Sequence, residues 1–251
     1  MLDRLIEEAP RFFNYYNLIF ILQAAGRTLA MTVIGCTVGF VFGLILAVIR
    51  QAKSPLALPL RLTAIVYVEI FRRIPFLVIL FIVLFAVQAF APNASLYAIA
   101  IISICLLSTA FLSEVIRAGL ESVPRQQIEA AEGLNFSYAR TLFHVIIPQA
   151  WKIILPPAVA FMVMFIKDTS LASQMGVVEL TFTGKSLVNR GFSPVLGFGA
   201  ILVFYFLLSY PLSRLGAYLE TRLASPRSKG ARQLLWTSAS PQGGVPVGGQ
   251  G

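Results

Sequence analysis

Five stretches of this chain are apolar over the length a helix needs to cross the hydrocarbon core of a bilayer, roughly 20 residues. Residues 29–49 carry no charge and extend upstream to near Leu18. Residues 62–91 are interrupted only by Glu69, Arg72 and Arg73. Residues 96–112 are uncharged, residues 153–178 are broken by Lys167 and Asp168, and residues 194–213 are uncharged again. The runs are too long for strands and lack the alternation of a barrel strand. The pattern predicts an all-α integral membrane protein with five transmembrane helices. Within the first run, Gly35, Gly39 and Gly43 recur every fourth residue and share one helix face, which predicts close approach by another helix.

Composition supports this reading. Charged residues make up 12% of the 251, about half of what a soluble domain needs to coat its surface, and mean hydropathy is +0.80. The net charge of +9 does not point to nucleic acid, because the basic residues are scattered between apolar runs. In a membrane protein that charge reports topology. Arg50, Lys53 and Arg61 follow the first run; Arg117, Arg125, Arg140 and Lys152 follow the third; Arg214, Arg222 and Arg227 accompany or follow the fifth. With five spans these segments share one side, and the richer side is cytoplasmic. The expected topology is N-terminus outside and C-terminus inside. Residues 1–17 then form an extracytoplasmic segment. The acidic Asp3, Glu7 and Glu8 argue against a cleavable leader. Residues 224–251, rich in Gly, Ser, Pro and Gln, are expected to be a disordered cytoplasmic tail. Two cysteines inside apolar runs and a single histidine, His144, give no metal or disulfide framework.

The longest polar interruption, residues 121–151, reads as two short helices rather than a floppy loop. Pro124 fits a first helical turn after Ser122 and Val123, and a helix follows over 126–134. Asn135 tolerates the left-handed conformation that ends helices, Ser137 caps a second short helix, and Pro148 is expected to close it. Such a compact polar plug on the cytoplasmic face suits a groove on another protein.

Glu129-Ala130-Ala131, then Asn135, then Val145-x-Ile147-Pro148 resemble the EAA loop of binding-protein-dependent ABC permeases. That family carries glycine where this chain has Asn135, and Arg125-Gln126-Gln127 stands where a basic-Gly-Gln is usual. Tyr67 through Pro75, Ser113 through Gly119 and Lys167 through Leu171 resemble signatures of its polar amino-acid subfamily. Over residues 18–223 the resemblance implies a type I ABC importer transmembrane domain of the histidine/glutamine/arginine/opine class. It implies ATPase coupling for Glu129, Ala130, Ala131, Gly133, Asn135 and Pro148. It further implies an ABC ATPase dimer that binds ATP and Mg, a second permease subunit (identical or not), and an extracytoplasmic amino-acid-binding protein. No cofactor is expected in this chain itself.

The intramembrane charges are the candidate substrate pathway. Glu69 and Arg73 stand at i and i+4 and Arg72 at i+3, which suits either a local ion pair or a pathway charge, and Pro75, which breaks backbone hydrogen bonding just beyond them, adds weight to the second. Lys167 and Asp168 are adjacent and diverge, so each needs a partner elsewhere or a watery space. A pathway role and a packing ion pair both fit. Thr169 and Ser170 add hydroxyls. Glu114 and Arg117, at i and i+3, read as a local salt bridge beside the polar plug. Gly184-Lys185-Ser186 mimics a phosphate loop, but Glu179 occupies the place of its first glycine, so ATP hydrolysis belongs to a partner. A stand-alone secondary transporter or channel would show inverted repeats, and a membrane enzyme would need a nucleophile–base or metal motif. Neither is evident.

Overall fold

The computed structural model describes residues 2–52 and 54–223, so the expected disordered tail lies outside the described residues. Ten α-helices follow one another, and no strand occurs among the described residues. They are α1 (Leu2–Phe12), α2 (Tyr15–Gln51), α3 (Leu58–Arg73), α4 (Phe76–Phe90), α5 (Leu96–Glu121), α6 (Arg125–Gly133), α7 (Tyr138–Thr141), α8 (Ile147–Asp168), α9 (Leu180–Asn189) and α10 (Pro194–Leu223). Four continuous helical stretches are long and apolar enough to cross a membrane: Tyr15–Gln51, Leu96–Glu121, Tyr138–Met175 and Pro194–Leu223. The α3–α4 pair supplies a fifth if it is one bent span.

That second span is sharply bent. α3 and α4 are bent by 116° between Arg73 and Phe76. The cause is Pro75. It disfavours helical backbone at the residue before it, and Ile74 accordingly sits at φ −89, ψ 133. Glu69, Arg72 and Arg73 all lie on α3, ahead of the break.

The glycine strip of α2 finds its partner in α5, and this pair makes the most extensive helix contact. A Cβ built on Gly35 would stand 2.3 Å from Ile104 Cγ2. On Gly39 it would stand 2.1 Å from Ser108 Oγ, and on Gly43 2.9 Å from the Ser113 backbone nitrogen. Only hydrogen fits at these places, so the backbones meet and the Ser108 hydroxyl donates across to the Gly35 carbonyl at 2.7 Å. α8 and α10 pack on the same core.

At the bundle end that carries Arg50 and Glu121, hereafter the basic end, Ala47, Ile116, Leu120, Leu142 and Ile146 form one apolar cluster. At the opposite end Phe12, Ile21, Leu180, Leu187 and Ile201 form another. The N-terminal segment is a helix there, which the hydropathy pattern did not indicate. Phe12 is fully buried, edge-on to Phe192 at 5.3 Å, and the Glu8 carboxylate accepts from the Ser193 backbone N–H at 2.7 Å, just ahead of α10.

Candidate coupling loop and translocation site

The polar plug sits at the basic end. Ser122 closes α5, its N–H donating to the Ala118 and Gly119 carbonyls. Pro124 is the cap before α6, not a member of its first turn as the sequence suggested. Asn135, at φ 59, is the one non-glycine residue with positive φ among those described. Its N–H donates to Glu132 O at 2.8 Å, and Phe136 N–H donates to Ala131 O at 3.1 Å. This pair of bonds is a Schellman ending, normally built on glycine. Asn135 therefore does what the family's glycine would do.

The second half of the plug differs from expectation. Ser137 caps α7, weakly, through the Arg140 N–H at 3.5 Å. Pro148 does not close the following helix. α7 passes through a π-helical turn, Leu142–Ile146, straight into α8, whose start holds Pro148. Pro148 has no N–H for the His144 carbonyl, and a widened turn just before it accommodates that gap without ending the helix. One helical stretch thus runs from the plug to Met175.

Of the coupling candidates, Glu129, Ala130, Gly133, Asn135 and Pro148 are exposed, whereas Ala131 is only 4% exposed. α6 packs on the π-helical turn, and Ile128 sits on the apolar cluster of Ile116 and Leu142. Ala131 is therefore part of the plug's own seat. The outward surface instead presents Glu129 and Ala130, with Leu134, Tyr138 and Phe143 exposed nearby in the chain.

The pathway candidates separate into two groups. Glu69 pairs with Arg73 at 2.6 Å on an exposed face of α3. Arg72 turns instead to Glu114 on α5 at 3.8 Å. Glu114 also binds Arg50 of α2 at 2.8 Å and Arg117, which in turn reaches Glu121. The expected Glu114–Arg117 bridge is present, but it is one arm of a cluster that joins three helices. Sequence reasoning missed the pairing of Arg50 and Arg72 with Glu114, because they lie 64 and 42 positions away from it along the chain.

From this cluster an aromatic bridge leads to α8. The Arg72 guanidinium lies 5.8 Å from the Phe111 ring centre, and Phe111 packs on Phe161 and Phe165 at 5.3 and 6.2 Å. Two residues beyond Phe165 come Lys167, exposed, and Asp168, half-buried. Neither forms an ion pair within 4 Å among the described residues, unlike Glu69 and Arg72. There α8 tightens into a 3-10 segment, Thr169–Met175. Thr169 is buried and donates to the Ile166 carbonyl, whereas Ser170 is half-buried.

A second polar network was not foreseen. Glu179 is fully buried at the start of α9. It accepts from the N–H groups of Thr181 and Phe182 and from the Tyr205 hydroxyl at 2.8 Å. Burial pushes its carboxyl above the usual range, against the pull of these donors. Lys185 donates to Ser173 at 3.2 Å, tying α9 to the 3-10 segment. Gly184, Lys185 and Ser186 thus lie inside a helix rather than in a phosphate-cradling loop.

The arrangement is a multi-helix bundle with a polar plug at one end and, on a helix within it, two charges that make no ion pair among the described residues. Residues 39–225 match the family described as binding-protein-dependent transport system inner membrane component. The chain belongs to that family. It is therefore a transport component and a multi-pass protein of the inner membrane. It is 34% identical to the probable glutamine ABC transporter permease protein GlnP of Bacillus subtilis, over 84% of this chain and 96% of that one. It is 37% identical to the L-cystine transport system permease protein TcyB of the same organism, over 73% and 80%. Among solved structures, a crystal structure of an amino acid ABC transporter with histidines matches at TM-score 0.75 and 27% identity, over 82% of this chain and 94% of that one. An inward-facing MetNI methionine ABC transporter shares the fold at TM-score 0.73 and 21% identity, over 85% of this chain and 100% of that one.

Proposed function

We propose that the chain is the membrane-spanning permease subunit of an ATP-driven importer that carries a polar or charged amino acid, or a derivative of one, across the bacterial inner membrane. The observation that carries this reading is the compact, exposed helix–turn at the basic end of a bundle of this family. The names of the relatives, for glutamine and for L-cystine, support an amino-acid substrate.

In this reading the basic end is cytoplasmic, with the N-terminus outside and the C-terminus inside. Glu129 and Ala130 meet a groove on an ABC ATPase dimer, which binds the ATP and Mg. Asn135 fixes the turn, and Gly133 and Pro148 flank the docking surface. Ala131 holds the plug together from inside. Because the plug is continuous with α8, a displacement of α6 and α7 by the ATPases reaches Lys167, Asp168, Thr169 and Ser170 along one helical stretch. Alternating access follows from rocking of helices against a second permease subunit, and an extracytoplasmic binding protein delivers the substrate. Lys167 and Asp168 offer the two signs of charge a zwitterion requires. Glu69 and Arg72 belong to the pathway only in a conformation that breaks their present pairs.

The test is reconstitution with the ATPase and binding protein. Ala130→Trp should leave insertion and thermal stability intact and abolish substrate-stimulated ATP hydrolysis, whereas Ala131→Trp should destabilise the permease itself. Asp168→Asn should weaken apparent substrate affinity about ten- to hundredfold, the size of a lost charged hydrogen bond, and spare basal ATPase activity. Normal coupling in Ala130→Trp removes the docking role. Reporter fusions after Gln126 that report the outside would remove the topology.

A further inference from the structure

A cavity of about 1310 Å³ opens at the basic end between the start of α8, the end of α10 and the α5–α6 turn. It is larger than a pocket for a small solute, which spans roughly 300–1,000 Å³. Its polarity is graded. Near the basic end its walls are Ser122, Gln149, Lys152, Glu220 and Arg222. Further along they are Pro156, Pro157, Ala160, Val163, Leu212 and Gly216, with no charge among them. From Gln149 to Val163 is 14 residues, or about 21 Å of helix. One leaflet with its headgroups is about 20–22 Å thick. At Gly216 α10 comes close to α8, because a Cβ there would touch Val159 Cγ1 at 3.5 Å.

We propose that this groove holds one anionic phospholipid from the leaflet at the basic end. Its phosphate sits between Lys152 and Arg222, and an acyl chain lies along Pro156, Ala160 and Val163. The headgroup has further partners. Pro156 and Pro157 have no N–H, so the carbonyls of Lys152 and Ile153, four residues earlier in the groove wall, lack their helix donors. A glycerol headgroup brings hydroxyls that can supply them. Two cations against one Glu220 favour a negative headgroup over a zwitterionic one. A partner protein segment would need no such grading from charge to hydrocarbon along the membrane normal, and a bilayer lipid always meets it.

The test uses the full chain in its complex, extracted from vesicles of phosphatidylcholine with phosphatidylglycerol and read by native mass spectrometry. Phosphatidylglycerol should be retained over phosphatidylcholine. Lys152→Gln and Arg222→Gln should each reduce that preference about fivefold, the effect of one basic residue at a lipid surface, and Glu220→Gln should raise it. Ala160→Trp, at an exposed position in the wall, should abolish retention. Ala217→Phe serves the same purpose should the tryptophan variant not insert. Retention unchanged by both filling variants overturns the proposal. So does a permease dimer that falls apart in Ala160→Trp while lipid retention persists, since a second subunit then covers the groove. Retention that rises on truncation after Leu223 also overturns it, because the tail then fills the groove.

Discussion

The α2–α5 contact gives the sharpest test of how this bundle is held, through Gly39→Ala. The added Cβ would stand 2.1 Å from Ser108 Oγ and 2.9 Å from the Ser108 carbonyl carbon. A rotamer change can move the first atom but not the second, so the helices must part. Overpacking of this kind costs about 1–3 kcal/mol, and the backbone clash places Gly39 at the upper end. Parting also weakens the Ser108–Gly35 hydrogen bond, worth about 0.6 kcal/mol between membrane helices. Against this, alanine is favoured over glycine in a helix interior by about 1 kcal/mol. The net loss is about 2–3 kcal/mol, or about 4–12 °C in Tm for a chain of this size. Gly35→Ala should lose less, because its clash is with the Ile104 side chain and the nearest Ile104 backbone atom stands 3.7 Å away, outside the clash. Gly26→Ala has nothing within 4 Å on the same helix and should gain stability. The assay is thermal melting in detergent with a thiol-reactive dye. Cys36 on α2 is buried and Cys105 on α5 is half-buried, so both report opening of this contact. Circular dichroism guards against a purely local change at Cys36. A Gly39→Ala protein as stable as the parent would refute the steric argument, as would Gly26→Ala falling alongside it.

Asn135→Gly should match the parent or exceed it slightly in stability and in coupled ATP hydrolysis. Asn135→Ala should lose about 1–2 kcal/mol, the strain of a left-handed residue with a Cβ and no polar compensation, and equal melting of the two would show that φ 59 is not what matters there. Glu179 sets a pH dependence. Its folded carboxyl is raised by burial, so the ionised form is disfavoured in the fold, and the parent should gain stability relative to Glu179→Gln as pH falls through the folded and then the unfolded value. Relative loss on acidification would show that its three donors outweigh burial.

What the sequence made legible was what depends on local pattern. The apolar runs located the four continuous spans and the bent α3–α4 pair, because burial in lipid leaves a signature of length alone. The glycine spacing named the packing face of α2 without naming α5. Asn135 was readable because a left-handed residue leaves few choices of side chain. Proline misled in two ways. At Pro75 the break was foreseen but not its 116°, since the angle is set by where α3 and α4 find partners. At Pro148 a stop was expected, and the helix instead widened by one turn of π geometry, because Leu142, Ile146 and Ala150 bury continuously on one face across it. Burial on both sides of a proline outweighs the one hydrogen bond it removes.

The charges show the limit of local reasoning most clearly. An i, i+4 rule assigned Glu69 to Arg73 correctly, since that pair needs only its own helix. The same rule found Arg117 for Glu114 and stopped there. Yet Glu114 lies where three helices converge, and the close α2–α5 approach permitted by Gly39 and Gly43 is what brings Arg50 within 2.8 Å of it. The small residues and the distant ion pair are thus one feature. Without a hydrogen at the helix face, the guanidinium and the carboxylate would be held apart. Glu114 would then face a low-dielectric setting with fewer cations than its burial requires. It follows that widening the contact at Gly43 should disturb the charge cluster as well as the packing. A bulky residue there should therefore cost more than the same residue at Gly35, where an added Cβ meets Ile104.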